Sequence, residues 1–139
     1  MSFGGLGLGG AGVSGEEVLR GAGLTVLVVD DEPHIRYLLA VVLEAAGYQV
    51  IEAAHGDAAL ERVRSSRPRL VITDRMMPRM GGIELIEQLR ADEGTAGIPI
   101  VMLTAAPGGE PGADAVLMKP FAQEELVELV DRLTGRGSW

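Results

Sequence analysis

Polar side chains that could bind a cation and a phosphoryl group stand directly after four apolar runs of the sequence. Asp30 and Asp31 follow the run LTVLVV, and Asp74 follows LVIT. Thr104 and Lys119 follow two later runs, IPIVML and AVLM. In an open sheet of parallel strands, ligands bind just beyond the carboxyl ends of the strands. If the four runs are such strands, we expect these five residues to meet at one edge of the sheet.

The residue types at this edge allow only a narrow chemistry. Clustered carboxylates repel one another, so at neutral pH they share protons or bind a cation. Oxygen ligands without His or Cys favour a hard ion such as Mg²⁺, which also accepts phosphate oxygens. A carboxylate beside such an ion can attack a phosphoryl group and form an acyl phosphate. The Lys119 ammonium and the Thr104 hydroxyl would then hold the phosphoryl oxygens.

The composition fits one folded domain and excludes several classes of function. The chain has 139 residues, 47% of them apolar, and its net charge of −8 argues against direct binding to nucleic acid. It has no cysteine, which excludes disulfides and thiolate metal sites. No apolar run reaches the roughly 18 residues of a membrane span, and the N-terminus is not typical of a secretory signal. We therefore predict a cytoplasmic protein with no membrane partner.

The elements that position the polar residues follow from the spacing of apolar side chains. Short apolar runs predict five strands at Leu24–Val29, Tyr48–Ala53, Leu70–Thr73, Ile98–Leu103 and Ala115–Met118. Helical spacing predicts a helix from Pro33 that Gly47 stops, and further helices at Asp57–Ser65, Gly82–Ala91 and Gln123–Leu133. Strands that alternate with helices imply parallel pairing, so the predicted fold is α/β, a doubly wound five-stranded sheet.

Four segments of the sequence resemble, in order, the signature segments of response-regulator receiver domains of two-component signalling. They are VLVVDDEP, VITDRMMPRMGG, IVMLTA and MKPF. The resemblance covers about residues 24–134 and implies a flavodoxin-like strand order of 2-1-3-4-5. We predict a receiver domain over residues 24–135, a flexible leader over residues 1–23, where nine of the twenty glycines lie, and a tail over residues 136–139.

The resemblance also implies the roles of the site residues. Asp74 matches the aspartate that a sensor histidine kinase or phosphotransfer protein phosphorylates. Asp30 and Asp31 match the pair that binds Mg²⁺ together with Asp74 and the backbone carbonyl of Met76. A receiver switches its interactions with a downstream protein effector, and it is no enzyme beyond self-catalysed phosphorylation and dephosphorylation.

Thr104 and Lys119 complete the set that the family implies. Thr104 matches the switch hydroxyl that moves onto the phosphoryl group. Lys119, the only lysine of the chain, matches the lysine that pairs with the phosphoryl group, and the Lys119–Pro120 peptide bond is expected to be cis. The other basic residues, apart from the two histidines, are arginines, and their planar guanidinium differs functionally from the compact, strongly hydrated ammonium of lysine. The use of lysine at this one position therefore agrees with a phosphoryl site.

The sequence departs from the family at the connection between its fourth and fifth strands. Lys119 follows Thr104 by only 15 residues, and the intervening AAPGGEPGAD contains two prolines and three glycines. This composition disfavours a helix, so we predict that the usual fourth helix is missing or reduced to a loop. Val116 stands where most members have a switch aromatic, and Arg75 where an aliphatic residue is usual.

Other interpretations of these residues remain open at this point. The role of these residues could be purely structural. Asp31 and Glu32 could serve merely as helix caps, Asp74 could be a turn residue, and Thr104 could be present merely because threonine favours strands. The domain could also be a phosphorylation-independent interaction module that uses its remodelled 105–114 edge. A phosphatase of the haloacid-dehalogenase type uses similar groups, but it would need an Asp-x-Asp spacing at the first strand.

Overall fold

A computed structural model describes residues 24–106, 108 and 110–135. The predicted leader, residues 1–23, and the predicted tail, residues 136–139, lie outside the described residues. The strands are β1 (Thr25–Val29), β2 (Gln49–Ala53), β3 (Leu70–Asp74), β4 (Ile100–Thr104) and β5 (Ala115–Met118). The helices are α1 (Pro33–Ala45), α2 (Gly56–Ser66), α3 (Gly82–Ala91) and α4 (Gln123–Thr134).

The five strands form one parallel sheet in the order β2-β1-β3-β4-β5. This order confirms the predicted doubly wound fold. The central strands β1, β3 and β4 are buried along nearly their whole length, because helices cover both faces of the sheet. One apolar layer includes Leu43 of α1 and Leu126 of α4, and the other includes Val63 of α2 and Leu89 of α3.

The predicted boundaries of the elements are close to the observed ones, and the largest difference has a simple cause. The fourth strand begins at Ile100, two residues later than predicted. Pro99 has no backbone N–H to donate to a neighbouring strand, although its carbonyl still accepts from the Val71 N–H at 3.0 Å. Tyr48 likewise lies outside β2, because its N–H bonds to the carbonyl of Leu43 at the end of α1.

The connection between β4 and β5 contains no helix among the residues of it that the structure describes, which are 105, 106, 108 and 110–114. These residues form turns and bends. Asp114 closes the connection, since its backbone N–H bonds to the Ile100 carbonyl and its Oδ2 accepts from the Ile100 N–H at 2.7 Å. The described residues of the parallel crossover between β4 and β5 are therefore irregular.

Gly82, at the start of α3, allows the helix to pack against the end of β3. A Cβ at this position would overlap the carbonyl oxygen of Asp74 and lie 3.1 Å from the Cα of Arg75. Both are backbone atoms, of the candidate phosphoacceptor and of the residue after it, so they cannot move without displacing the strand end. The lack of a side chain at Gly82 is therefore a condition for the site geometry.

We expect Gly82→Ala to lower the free energy of unfolding by about 1–3 kcal/mol through this overlap. Gly97→Ala is the matched control, because a Cβ at Gly97 meets no atom within 4 Å, and its effect should stay within about 0.5 kcal/mol. Denaturant unfolding of the two variants measures the difference. Equal stabilities of the two variants would contradict the close approach of α3 to β3.

Candidate functional site

The carboxyl ends of β1, β3, β4 and β5 bring the predicted polar residues to one edge of the sheet. Asp30 directly follows β1, Asp74 and Thr104 end β3 and β4, and Lys119 directly follows β5. Asp30, Asp74 and Thr104 are buried, with exposed fractions of 1%, 8% and 5%. Buried polar groups need partners, and the contacts of these residues define what the site can bind.

Three carboxylates lie close enough to share one cation. Asp30, Asp31 and Asp74 each offer an oxygen, and these atoms lie within 4.8 Å of one another. Oδ1 of Asp30 accepts a hydrogen bond from the Glu32 N–H at 2.9 Å. The other oxygen, Oδ2, is buried and has no hydrogen-bond partner in the structure. A buried carboxylate oxygen without a donor, among further carboxylates, fits a hard divalent cation such as Mg²⁺.

The electrostatics of Asp30 agree with this geometry. Burial raises the pKa of Asp30 above its ordinary value of 3.8, and the charges of Asp74 and Asp31 add to the increase. The hydrogen bond from Glu32 and the charge of Lys119 act in the opposite direction but do not cancel it. Without a cation, the fold therefore favours the ionised form of Asp30 less than water does.

Lys119 provides the positive charge of the site. Its Nζ donates a hydrogen bond to Oδ1 of Asp74 at 2.6 Å and lies 3.7 Å from Oδ2 of Asp30. Burial lowers the pKa of Lys119, but the hydrogen bond and charge of Asp74 and the charge of Asp30 outweigh it, so the pKa is raised. The Lys119–Pro120 peptide bond is cis, as expected, and the Lys119 N–H bonds to the carbonyl of Thr104 at 2.9 Å.

Removing the Lys119 ammonium should leave two buried carboxylates without their cation. We expect Lys119→Ala to lower the free energy of unfolding by about 1–3 kcal/mol in the absence of divalent cations. Saturating Mg²⁺ should recover most of this loss, because it supplies positive charge to the same carboxylates. Arg64→Ala, which removes an exposed cation of α2, is the control. Thermal unfolding with Mg²⁺ or EDTA measures both effects, and equal losses under the two conditions would contradict this account.

Thr104 lies at the same edge with its hydroxyl engaged. In the sheet register, Asp74 pairs with Leu103, so Thr104 is one residue beyond the partner of Asp74. Its Oγ1 accepts a hydrogen bond from the Ala106 N–H at 3.1 Å. The hydroxyl proton is thus available to donate to another acceptor. The described contacts of Thr104 therefore connect the site to the first residues of the short β4–β5 connection.

Asp31, Glu32 and Met76 lie at the rim of the site. Glu32 directly precedes α1, but its side chain makes no capping hydrogen bond there, so the capping interpretation fails for Glu32. Asp31 is exposed and faces the other carboxylates. Met76 lies in the loop between β3 and α3 with 77% of its surface exposed. The predicted role of its backbone carbonyl stays a prediction.

Two arginines near the site make contacts that the sequence did not predict. Arg36 of α1 donates from Nη1 to the backbone carbonyl of Asp30 at 2.6 Å, and its Nε bonds to Glu52 at 3.0 Å. Arg75 bonds to the β4–β5 connection, including Glu110. In the sequence, Arg75 stands out as a departure from the family and, with Arg79, as a basic residue close after Asp74 that could temper the acidic pocket or meet the kinase. Arg36 carried no local signal, because its partners lie on other elements.

The fold and the site together define a class, the parallel α/β domains with a carboxylate cluster, a hydroxyl and a lysine at the carboxyl edge of the sheet. The family model described as "Response regulator receiver domain" matches residues 26–131. The chain belongs to this family. Its members are signalling modules rather than classical enzymes, so the phosphatase alternative is no longer needed.

Curated relatives are similar over most of this chain. The phosphate regulon transcriptional regulatory protein PhoB of Pseudomonas aeruginosa is 44% identical over 125 residues, which is 83% of this chain and 55% of that protein. The DNA-binding response regulator MtrA of Mycolicibacterium smegmatis is 45% identical over 112 residues, 76% of this chain and 48% of that protein. The chain thus spans about half the length of these relatives.

Solved structures with a similar fold include a chemotaxis response regulator and the receiver domain of a sensor histidine kinase. The chemotaxis protein CheY4 of Vibrio cholerae has a TM-score of 0.75 and 35% identity, over 79% of this chain and 98% of that one. The receiver domain of a sensor histidine kinase of Pseudomonas aeruginosa, with magnesium coordinated in its active-site cleft, has a TM-score of 0.76 and 29% identity, over 82% and 99%. In the described part of the present chain, no helix is both long and apolar enough to cross a membrane.

Proposed function

We propose that the chain is a phosphoacceptor, in which Asp74 accepts a phosphoryl group from the phosphohistidine of a sensor histidine kinase or phosphotransfer protein. The observation that carries this proposal is the pairing of the buried Asp74 carboxylate with the Lys119 ammonium at 2.6 Å, beside the Oδ2 of Asp30, which has no hydrogen-bond partner. A nucleophile, a cation for the phosphoryl group and an oxygen ligand for a metal are thus neighbours.

The transfer forms one bond and breaks another. An Asp74 carboxylate oxygen attacks the phosphorus, an O–P bond forms, and the P–N bond of the phosphohistidine breaks. The leaving imidazole keeps the electron pair and takes a proton from solvent. Lys119 then pairs with a phosphoryl oxygen in place of the Asp74 oxygen it holds now, and the Thr104 hydroxyl donates to another. Because Asp74 is consumed, each chain accepts one phosphoryl group until the acyl phosphate is hydrolysed.

The residues that would hold Mg²⁺ are the carboxylates of Asp30, Asp31 and Asp74 and the backbone carbonyl of Met76. Bound there, the ion would offset the negative charge of the phosphoryl oxygens. The donor set consists of oxygen atoms only, which suits Mg²⁺. The magnesium in the cleft of the Pseudomonas aeruginosa receiver supports the same assignment for this chain.

Phosphorylation with a small donor tests the proposal directly. Incubation with acetyl phosphate and Mg²⁺ should add the mass of one phosphoryl group to the intact protein, and EDTA should prevent it. Mass spectrometry at acidic pH, where acyl phosphates survive longer, measures the adduct. The absence of an adduct with every donor and divalent cation tried would overturn the proposal.

The partner on the output side is proposed to be a protein. PhoB and MtrA are named as transcriptional and DNA-binding proteins, but the chain spans about half of their length. Its net charge of −8 does not favour contact with phosphate backbones. We therefore expect a downstream protein effector, and no direct binding to nucleic acid by this domain.

A second candidate function is a phosphorylation-independent interaction module. It is favoured by the edge strand β5, where Val116 and Met118 are exposed beside the short connection. In this case the apolar edge would bind its partner whatever the state of Asp74. Equal partner binding by the wild type, with and without acetyl phosphate, would support the second function over the first.

A further inference from the structure

Arg75, the residue after the candidate phosphoacceptor, holds the short connection between β4 and β5. Its Nη1 donates to the carbonyls of Ala106 and Gly108 at 3.3 and 3.1 Å and forms an ion pair with Oε2 of Glu110 at 2.5 Å. All three contacts use one nitrogen of the guanidinium. One side chain thus gathers three residues of the connection.

The carboxylate of Glu110 is the buried partner of Arg75 in this contact. Its side chain is only 6% exposed, although an unpaired buried carboxylate is costly. Both of its oxygens accept from the Gly108 N–H, at 3.1 and 2.8 Å. The arginine and the backbone amide therefore satisfy the buried carboxylate, and each of the two charges depends on the other. We call Arg75, Glu110 and the backbone of Gly108 the loop clamp.

Hydrogen bonds connect the loop clamp to the phosphorylation site at two points. The Arg75 backbone N–H bonds to the Leu103 carbonyl, so its main chain continues the pairing of β3 with β4. Ala106, whose carbonyl accepts from Arg75, donates its own N–H to the hydroxyl of Thr104. Arg75 thus holds the carbonyl of Ala106, and the hydroxyl of Thr104 holds its N–H.

We propose that Arg75 is a positioning residue that holds Ala106, Gly108 and Glu110 of the connection, which has no helix among its described residues, and couples these residues to the phosphorylation site. It fixes the connection so that the Ala106 N–H meets Thr104 at rest. When the Thr104 hydroxyl moves onto a phosphoryl group, the Ala106 N–H loses its acceptor and the clamped segment rearranges. The resting part of this inference needs only the contacts above, and the coupling part rests on the proposed phosphorylation of Asp74.

The resting part is tested by amide hydrogen exchange without any phosphodonor. In Arg75→Ala we expect the amides of Ala106 and Gly108 to exchange about tenfold faster or more, since Arg75 no longer holds these residues against Thr104 and Glu110, the acceptors of the two N–H groups. Arg75→Lys should recover part of the protection, because an ammonium offers three N–H donors at a single nitrogen. Arg64→Ala, an exposed arginine of α2, is the control. Unchanged exchange in Arg75→Ala would overturn the role of the clamp.

The coupling part is tested by repeating the exchange with excess acetyl phosphate and Mg²⁺ while mass spectrometry follows the adduct. In the wild type, the Ala106 amide should exchange about tenfold faster once Asp74 is phosphorylated. In Arg75→Ala, the adduct should form but the rate should change less than twofold, because the segment is already released. If Arg75 only supported the connection, phosphorylation would leave the exchange rate of the Ala106 amide in the wild type unchanged.

The outcomes separate this inference from the proposed function. If the wild type forms the adduct and the Ala106 exchange rate stays the same or falls, the coupling is overturned while the phosphoacceptor function stands. If no adduct forms under any condition, the proposed function and the coupling are both overturned, and the resting exchange still decides whether Arg75 holds the connection. An equal response in the wild type and in Arg75→Ala also overturns the coupling.

Discussion

Asp74→Asn is expected to abolish phosphorylation of the protein by acetyl phosphate or by a phosphohistidine donor. The neutral amide is nearly the same size as the carboxylate but is not a competent nucleophile toward phosphorus. The variant should fold, since an amide oxygen can still accept the hydrogen bond that Lys119 donates at 2.6 Å. Mass spectrometry of the intact protein should therefore show one phosphoryl adduct on the wild type and none on the variant.

The matched control for this variant is Asp92→Asn, an exposed aspartate at the end of α3. This control should take up a phosphoryl group at the wild-type rate. An adduct of equal yield on Asp74→Asn would show that another residue is the acceptor. If the variant loses the adduct but keeps its partner binding and cellular output, the phosphorylation-independent function would account better for the chain.

Asp30→Asn is expected to make the metal-free protein more stable at neutral pH by about 1–3 kcal/mol. In the wild type, the buried Oδ2 of Asp30 has no hydrogen-bond partner and lies among other carboxylates. The pKa of Asp30 is raised in the fold, chiefly by burial. The folded state thus binds the proton of the Asp30 carboxyl group more tightly than the unfolded chain does. The stability that this protonation contributes is present below the ordinary pKa of 3.8 and is lost as the pH rises from there through the raised pKa of the folded state.

The same variant should lose the stabilisation that Mg²⁺ gives. Mg²⁺ at a concentration of about 100 times its dissociation constant should stabilise the wild type by about 2.7 kcal/mol. Asp30→Asn should gain much less stability, because it lacks one charged ligand. Unfolding at several pH values with Mg²⁺ or EDTA measures both effects. Asp92→Asn should behave as the wild type does. A variant that is less stable than the wild type in EDTA, or that responds fully to Mg²⁺, would contradict the assignment of Asp30.

The elements of the fold were predictable because each has a local signal. The run at Leu70–Thr73 is apolar on both faces, as a central parallel strand requires, and the apolar positions of the last helix repeat every three or four residues. Errors occurred only at boundaries such as Ile98, where the missing N–H of Pro99 delays the start of β4. Such ends depend on hydrogen bonds to a neighbouring strand, which the local pattern does not contain.

The sequence by itself determined the types of group at the site, their order along the chain, and the family. It did so because strand ends follow from apolar spacing, and parallel strands present those ends at a common edge. Only the tertiary structure decided the contacts of these groups. Lys119 reaches Asp74 across 45 residues, and one oxygen of Asp30 is left without a donor.

The role of Arg75 was likewise decided by the tertiary structure. Its partner Glu110 lies 35 residues further along, in a segment whose composition indicates only the lack of a helix. The path of the crossover between β4 and β5 decides whether that segment is held in place. It brings the buried carboxylate of Glu110 to the guanidinium of Arg75. Contacts of this kind arise from the packing of distant elements, so neither residue carries a local signal for them.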